Sequence, residues 1–441
     1  LPFLVSWLPK NNPTIMSTLL PLIPDIANAS GSLLPSAPLV EAILLSDNVE
    51  IAKQLTPILL QCSYLPHCLE FITQLSQSTY DCVRSYIPSI INLAGSDDSK
   101  RSILPTLVFD SSFCVRMEVL KYAQATTSEE LAHQVAITLI KDFHSQIRSL
   151  IPVLCSQQQF YVSHILPKIH ADPDWSVRMN VAKELIHCTD FESALKYCLI
   201  LVRDDVWQVQ YWAFKSLIKL LLSLKTSSYD HFVHDLVNEM IQRKQIPLKR
   251  VVIDVFFVAD CKTPNFVDNV LAQPDPETKF YFVHSAYRKN KFKIIPKNQI
   301  VELINKIIES DMWRIRKGVL DMFYEIAKIA NDQQITHGIH ELCIHLLSDE
   351  ALPVREAAAN QLVNFIPVDT AFDSNFPKFL IEFEESDNFR KRQIAILLLS
   401  LFIKKSNSPN IKEFLLSRIR KFVNDPVRNV AQYANSILNL C

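Results

Sequence analysis

Glycine is the scarcest structural resource in this chain: Gly31, Gly95, Gly318 and Gly338 are the only four in 441 residues, where average usage would place roughly thirty. Positive-φ turns between strands and loops that cradle phosphates are built from glycine. The shortage therefore argues against sheets, dinucleotide-binding βαβ units and P-loops together. Long apolar runs are missing as well. The longest, Ile394 to Ile403, has ten residues and contains Ser400, against the ~20 that a membrane span needs. Net charge is close to nil, -1 from 45 basic and 46 acidic residues, and a nucleic-acid surface needs a basic stripe. The compact run Arg288-Lys289-Asn290-Lys291-Phe292-Lys293 reads as a solvated helix end. The 10 cysteines form no C-x-x-C pair. With Cys114, Cys188 and Cys343 falling on apolar helix faces, they read as reduced core thiols of a cytosolic or nuclear protein.

What the chain does have is a repeated turn. Asp110, Asp142, Asp172 and Asp349 each precede an aliphatic residue by five positions and an arginine by six: Val115-Arg116, Ile147-Arg148, Val177-Arg178 and Val354-Arg355. Followed along the chain, the aliphatic position falls at Ile15, Val49, Val83, Val115, Ile147, Val177, Val209, Leu248, Phe280, Ile315, Val354, Lys391 and Val430, with intervals of 30 to 39 residues. That period belongs to helical-pair solenoids. One unit shows the pair. Val162, Ile165, Leu166 and Ile169 lie on one helix face before the turn, and Val177, Val181, Ala182 and Leu185 on another after it. Asp172-Pro173 ends the first helix and starts the second.

A helix pair is too thin to enclose its own apolar face, so neighbours stack to bury it. The expected fold is all-α, a solenoid of about thirteen HEAT-type antiparallel helix pairs running through residues 1–441 with one continuous core. With axes about 10 Å apart, such a stack would form a curved rod on the order of 100 to 130 Å long. The aspartates and arginines would form a ladder tying each turn to the next. Its expected members are Asp110, Arg116, Asp142, Arg148, Asp172, Arg178, Asp349 and Arg355. Ser78 and Ser386 replace the aspartate, and Gln210, Lys249, Tyr281 and Ala431 the arginine. Those units are expected to be held mainly by apolar packing.

The residue clusters that could carry chemistry take structural readings. His337, Glu341 and His345 are spaced by four, as a metal site on a helix would be. Ile335, Ile339, Leu342 and Leu346 supply the buried stripe of that helix, which leaves the histidines facing solvent. His231-Phe-Val-His234-Asp235 reads the same way, and Asp97-Asp98 and Glu384-Glu385 read as acidic turns. The sequence has no G-x-S-x-G, G-x-x-x-x-G-K-[ST] or H-E-x-x-H. A non-catalytic, cofactor-free, metal-free protein is expected. What remains is the row of turns. Trp175, Trp207 and Trp313 stand two residues before the aliphatic position, as do Phe113 and Phe389, and tryptophan is enriched at interface hot spots.

At these residues the sequence resembles the HEAT-repeat scaffold (A) subunit family of protein phosphatase 2A. The resemblance lies in Ser310-Asp-Met-Trp-Arg-Ile-Arg-Lys317, in the stretch from Leu342 to Leu362, in Asp387-Asn-Phe-Arg-Lys-Arg392 and in Asn424-Asp-Pro-Val-Arg-Asn-Val-Ala431. Asp172 to Leu185 resembles an earlier repeat. The family has fifteen repeats, so the chain resembles a version lacking about one at each end. The resemblance implies that residues 1–300 bind a regulatory subunit and 301–441 a phosphatase catalytic subunit. By position, Trp313 and Arg314 match a contacting tryptophan and basic residue. Phe389, followed by Arg390, stands where the family has a tyrosine, and Leu352 where it has another aromatic contact. Arg428 lies in the next turn. Trp175 and Trp207 extend the row into the earlier half. The competing readings are a phosphatase 4-type regulatory subunit and a karyopherin-like carrier. The W-x-x-x-N pairs of armadillo-type carriers are absent, since Met179, Tyr211, Ser216 and Lys317 follow Trp175, Trp207, Trp212 and Trp313.

Overall fold

The computed structural model describes residues 13–45, 49–94, 97–126, 128–224, 230–259, 264–366 and 378–439, and among them helices and turns are the only elements. The chain divides into two compact units, Leu1–Lys225 and Thr226–Cys441. Each is a stack of antiparallel helix pairs. In the first, Asp97–Val108 pairs with Phe113–Ala125, Glu129–Leu139 with Ser145–Cys155, and Phe191–Leu201 with Trp207–Leu224. In the second, Gln333–Leu346 pairs with Leu352–Phe365, Lys378–Glu384 with Phe389–Lys405, and Pro409–Arg420 with Arg428–Leu438.

The aliphatic position after each turn is where a stack closes. Val83, Val115, Ile147, Val177, Val209 and Leu248 are fully buried, as are Val354 and Val430, and Ile315 is nearly so. Ile15 and Lys391 are half-buried, and the side chain of Val49 lies outside the described residues. At about 25 cal/mol per Å² of apolar surface, these seams are the main source of cohesion in a fold whose pairs cannot close on themselves.

Local departures from the sequence reading have identifiable causes. Phe280 is half-buried, and the closing position is held two residues earlier by buried Thr278 and Lys279. The Phe280 ring lies instead against Gly318, where a Cβ would meet it at 2.7 Å, so glycine is what lets helices Pro276–Arg288 and Trp313–Leu320 close up. Cys188 and Cys343 are buried, but Cys114 is exposed, because it follows the first residue of its helix and points away from the seam. Leu342 is half-buried, with Cys343 taking its expected place in the stripe beside Ile335, Ile339 and Leu346. The face carrying Val162 and Ile165 is buried, but the helix is wound as a π segment at Tyr161–Ile165. Pro167 has no N–H to return to Ser163 and crowds its carbonyl, and a wider turn accommodates both.

Candidate interaction ridge at the helix-pair turns

Six of the described turns are closed by an aspartate that does two jobs. Its Oδ1 accepts the backbone N–H two residues on, at 2.7–2.9 Å, in the turns starting at Asp110, Asp142, Asp172, Asp204, Asp349 and Asp425. This fixes the chain reversal. The same carboxylate receives an arginine from the preceding pair: Arg84 to Asp110, Arg116 to Asp142, Arg148 to Asp172, Arg178 to Asp204, Arg316 to Asp349 and Arg392 to Asp425. All six are bidentate, with Nε donating to Oδ2 at 2.6–2.7 Å and Nη2 to Oδ1 at 2.8–3.0 Å. The remaining nitrogen, Nη1, donates to the carbonyl six residues back in its own turn, at 2.5–2.8 Å. One guanidinium thus ties its own turn to the next.

The rung runs between pairs, and this corrects the expectation of mainly apolar packing for the units of Ser78, Ser386 and Lys249. Arg84 and Arg392, in the units of Ser78 and Ser386, still reach the aspartate ahead. Lys249 reaches Asp275 at 2.5 Å, whereas the bond that Gln210 donates to the Asp204 carbonyl at 2.5 Å stays within its own turn. A second correction concerns Arg355, which takes no aspartate, because Ser386 stands where its acceptor would be. Asp204, Asp425, Arg84, Arg316 and Arg392 are rung members that the six-residue spacing does not reveal, since their own units lack the complementary residue.

The rungs are nearly dry. The Arg116 and Asp142 side chains are 8% and 4% exposed. Burial pushes the Asp110 and Asp142 carboxyls up, but the bonds from Arg84 and Arg116 and from the turn amides outweigh it and hold both below the ordinary value. The Arg392 bond does the same to Asp425. Hydrogen bonding to these carboxylates raises the partner arginines.

Ladder charges are consumed, so the outer surface of the turns belongs to the residues around them. Trp175, Trp207, Trp313, Leu352, Phe389 and Arg428 are each the first residue of their helix. At that position a side chain projects from the turn, away from the seam two residues later. Trp175, Trp313, Leu352 and Phe389 are exposed by 37–48%, Arg314, Arg390 and Arg428 are exposed, and Trp207 is half-buried. At two of these aromatics the following arginine folds over the ring: Arg314 lies 5.0 Å from the Trp313 ring centre and Arg390 5.8 Å from that of Phe389. Phe113 instead packs against His144, with ring centres 5.2 Å apart. Most exposed are Phe109 and Phe143, at 76% and 98%, which the register of first helical residues does not pick out. They flank Asp110 and Asp142 and line an open groove with Ile137, Lys141 and Lys168.

Among the described residues no group of three His, Cys, Asp or Glu gathers as a metal site, and no helix is long and apolar enough to cross a membrane. His337 and His345 are exposed on helix Gln333–Leu346 and His340 is half-buried. The side chains of Asp97, Asp98 and His231 lie outside the described residues.

No family model matches the chain. Proteasome activator complex subunit 4B of Danio rerio is similar at 32% identity over 87 residues, which is 18% of this chain and 5% of that protein. Among solved structures, the karyopherin Kap121p bound to Nup53p aligns with a TM-score of 0.43 at 14% identity, over 90% of this chain and 43% of that one. Kap121p bound to the extreme C-terminus of the protein phosphatase Cdc14p aligns at 0.45 and 15% identity, over 90% and 44%. The chain therefore spans less than half the length of those karyopherins and a twentieth of the proteasome activator. Neither relative is a phosphatase scaffold. The helix-pair architecture stands on the chain's own geometry.

Proposed function

We propose that the chain is a non-catalytic scaffold. On this reading the turns within 301–441 hold a serine/threonine phosphatase catalytic subunit of the 2A type, and turns within 1–300 hold a regulatory subunit. The observation that carries it is the exposed, arginine-stacked Trp313 at the head of its helix. It repeats at Phe389 with Arg390 and lies inside the segments that resemble the family. An aromatic already covered on one face by a cation offers its other face and edge to a partner, while the guanidinium is free to meet an acidic group. Tryptophan and arginine are the residues that most often dominate such interfaces.

The test is capture of the 2A catalytic subunit by the full chain and by Trp313→Ala with Arg314→Ala. The double variant should lose about 2 to 4 kcal/mol of binding, the range of an interface hot spot, and melt close to the wild type. Binding that survives while the melt collapses would show Trp313 to be a packing residue. Capture of a phosphatase 4 catalytic subunit in its place would move the assignment to that family, and retention of import-cargo peptides alone would favour the carrier reading.

A further inference from the structure

The ladder makes a control experiment on itself at Arg355. Six arginines at its position each spend Nη1 on their own turn and Nε with Nη2 on the next aspartate. Arg355 does the first: Nη1 donates to the carbonyls of Asp349 at 2.7 Å and Glu350 at 2.8 Å. The guanidinium is thereby held in the pose of its relatives. Yet the residue is only 6% exposed and its Nε is buried with no hydrogen-bond partner. The residue ahead is Ser386, whose Oγ accepts the Asn388 amide at 3.2 Å. Serine closes the turn as an aspartate would, but it brings no carboxylate.

The same replacement elsewhere is compensated. Ser310 follows Lys279, which is buried, donates to the Gln273 carbonyl, and is pushed below its ordinary value by burial. A lysine can shed its proton when buried, and an arginine cannot. At Arg355 burial, and then the nearby Arg390, push the guanidinium down, opposite to the arginines of the completed rungs. A guanidinium fixed in a largely buried pose thus lacks the side-chain carboxylate that its relatives hold, with only the weaker pull of the Asp349 and Glu356 charges to set against burial, and a buried cation left incompletely paired is destabilising. Glu385 and Asp387 flank Ser386 and are exposed, but neither bonds to the Arg355 Nε.

We propose that the junction between the 349–352 and 386–390 turns is a docking site for an aspartate or glutamate side chain of a partner protein, which completes the rung on Arg355. The identity of the ligand follows from the other six rungs, where a carboxylate takes Nε and Nη2 side by side, a geometry guanidinium matches. Exposed Arg390 adds a second cation. Exposed Leu352 and Phe389 flank the entry, and a shallow pocket lined by Leu352, Glu356, Ile394, Leu397 and Tyr433 adjoins it, so the partner segment carries an apolar residue beside its acid. The inference rests on the reading that these turns dock a protein, and names the chemistry they select.

The probe is a fluorescein-labelled hexapeptide alternating aspartate with leucine, compared by anisotropy with its asparagine counterpart on the full chain. The aspartate peptide should bind at least ten-fold more tightly. Ser386→Asp supplies the carboxylate from within. It should raise the melting temperature and weaken the peptide at least ten-fold, whereas Ser386→Ala should leave peptide binding unchanged. Equal binding of the two peptides, or a Ser386→Asp variant that neither melts higher nor loses the peptide, overturns the proposal. If Trp313→Ala with Arg314→Ala abolishes phosphatase capture while Ser386→Asp leaves peptide binding intact, the scaffold reading stands and this one falls.

Discussion

At the residue scale the recurring device is a carboxylate shared between a turn amide and a guanidinium from the neighbouring pair. Asp110, Asp142 and Asp425 are held below their ordinary value in the folded chain, so near pH 4 the folded state binds fewer protons than the unfolded one. Stability then rises with pH in that range. It is fully present above the unfolded value near 4 and lost as pH falls through the lower folded values. Melting followed from pH 7 to pH 2.5 should be nearly flat to about pH 5 and then fall. Asp142→Asn should melt lower at pH 7 and show a shallower acid limb. An acid limb as steep in Asp142→Asn as in the wild type would mean that the rung carboxylates are not the groups responsible. The residue types of the ladder and its turn-to-turn sense were legible in the sequence, but its full membership was not. Asp172 and Arg178 recur six apart, yet Arg178 takes only the Asp172 carbonyl, and the two side chains pair with different neighbours, Arg148 with Asp172 and Arg178 with Asp204. Only a contact 24 to 33 residues away along the chain shows why Asp204 and Asp425 have carboxylates without arginines of their own. Arg355 was indistinguishable from its relatives for the same reason: its missing partner lies in the next unit.

At the element scale the helix pair is defined by a turn and a buried seam. Val177 shows how far the seam carries. It is fully buried at the start of helix Trp175–Glu184, which packs on both Ser145–Cys155 and Trp207–Leu224. Val177→Asp puts an unpaired charge there, at a cost of several kcal/mol. Because repeats depend on nearest-neighbour interfaces, amide exchange should accelerate across residues 150–210, while residues 378–439 keep their wild-type protection. Acceleration confined to the 172–178 turn would contradict this. Period and apolar face were readable in the sequence because each pair repeats the same geometry. Winding and register were less so. Phe280 drew the register two residues late because it is the larger apolar residue, while Thr278 and Lys279 occupy the seam. The π segment at Tyr161–Ile165 reflects Pro167, whose effect on a helix depends on whether the preceding turn widens or breaks. The exposure of Phe109 and Phe143 has a signal in the sequence only in hindsight of the ladder. They flank the rung aspartates, and those carboxylates face inward.

At the scale of the whole molecule, the turns present surface. The turns are tied by nearly dry ion pairs, the charges of the completed rungs are internally satisfied, and what faces outward is a series of apolar residues at the heads of helices, with arginines folded over Trp313 and Phe389. Rigid presentation lowers the ordering cost of binding, as the proposed scaffold role requires. The central claim is that the turns at 311–314, 349–353 and 387–390 hold a phosphatase catalytic subunit. Hydrogen–deuterium exchange of the full chain with and without the 2A catalytic subunit tests it most directly. The account predicts protection concentrated at those three turns and at the heads of helices Trp313–Leu320, Leu352–Phe365 and Phe389–Lys405, with the turns at 110, 142 and 172 unchanged. Protection absent from all three turns, or found only in residues 1–300, would contradict it.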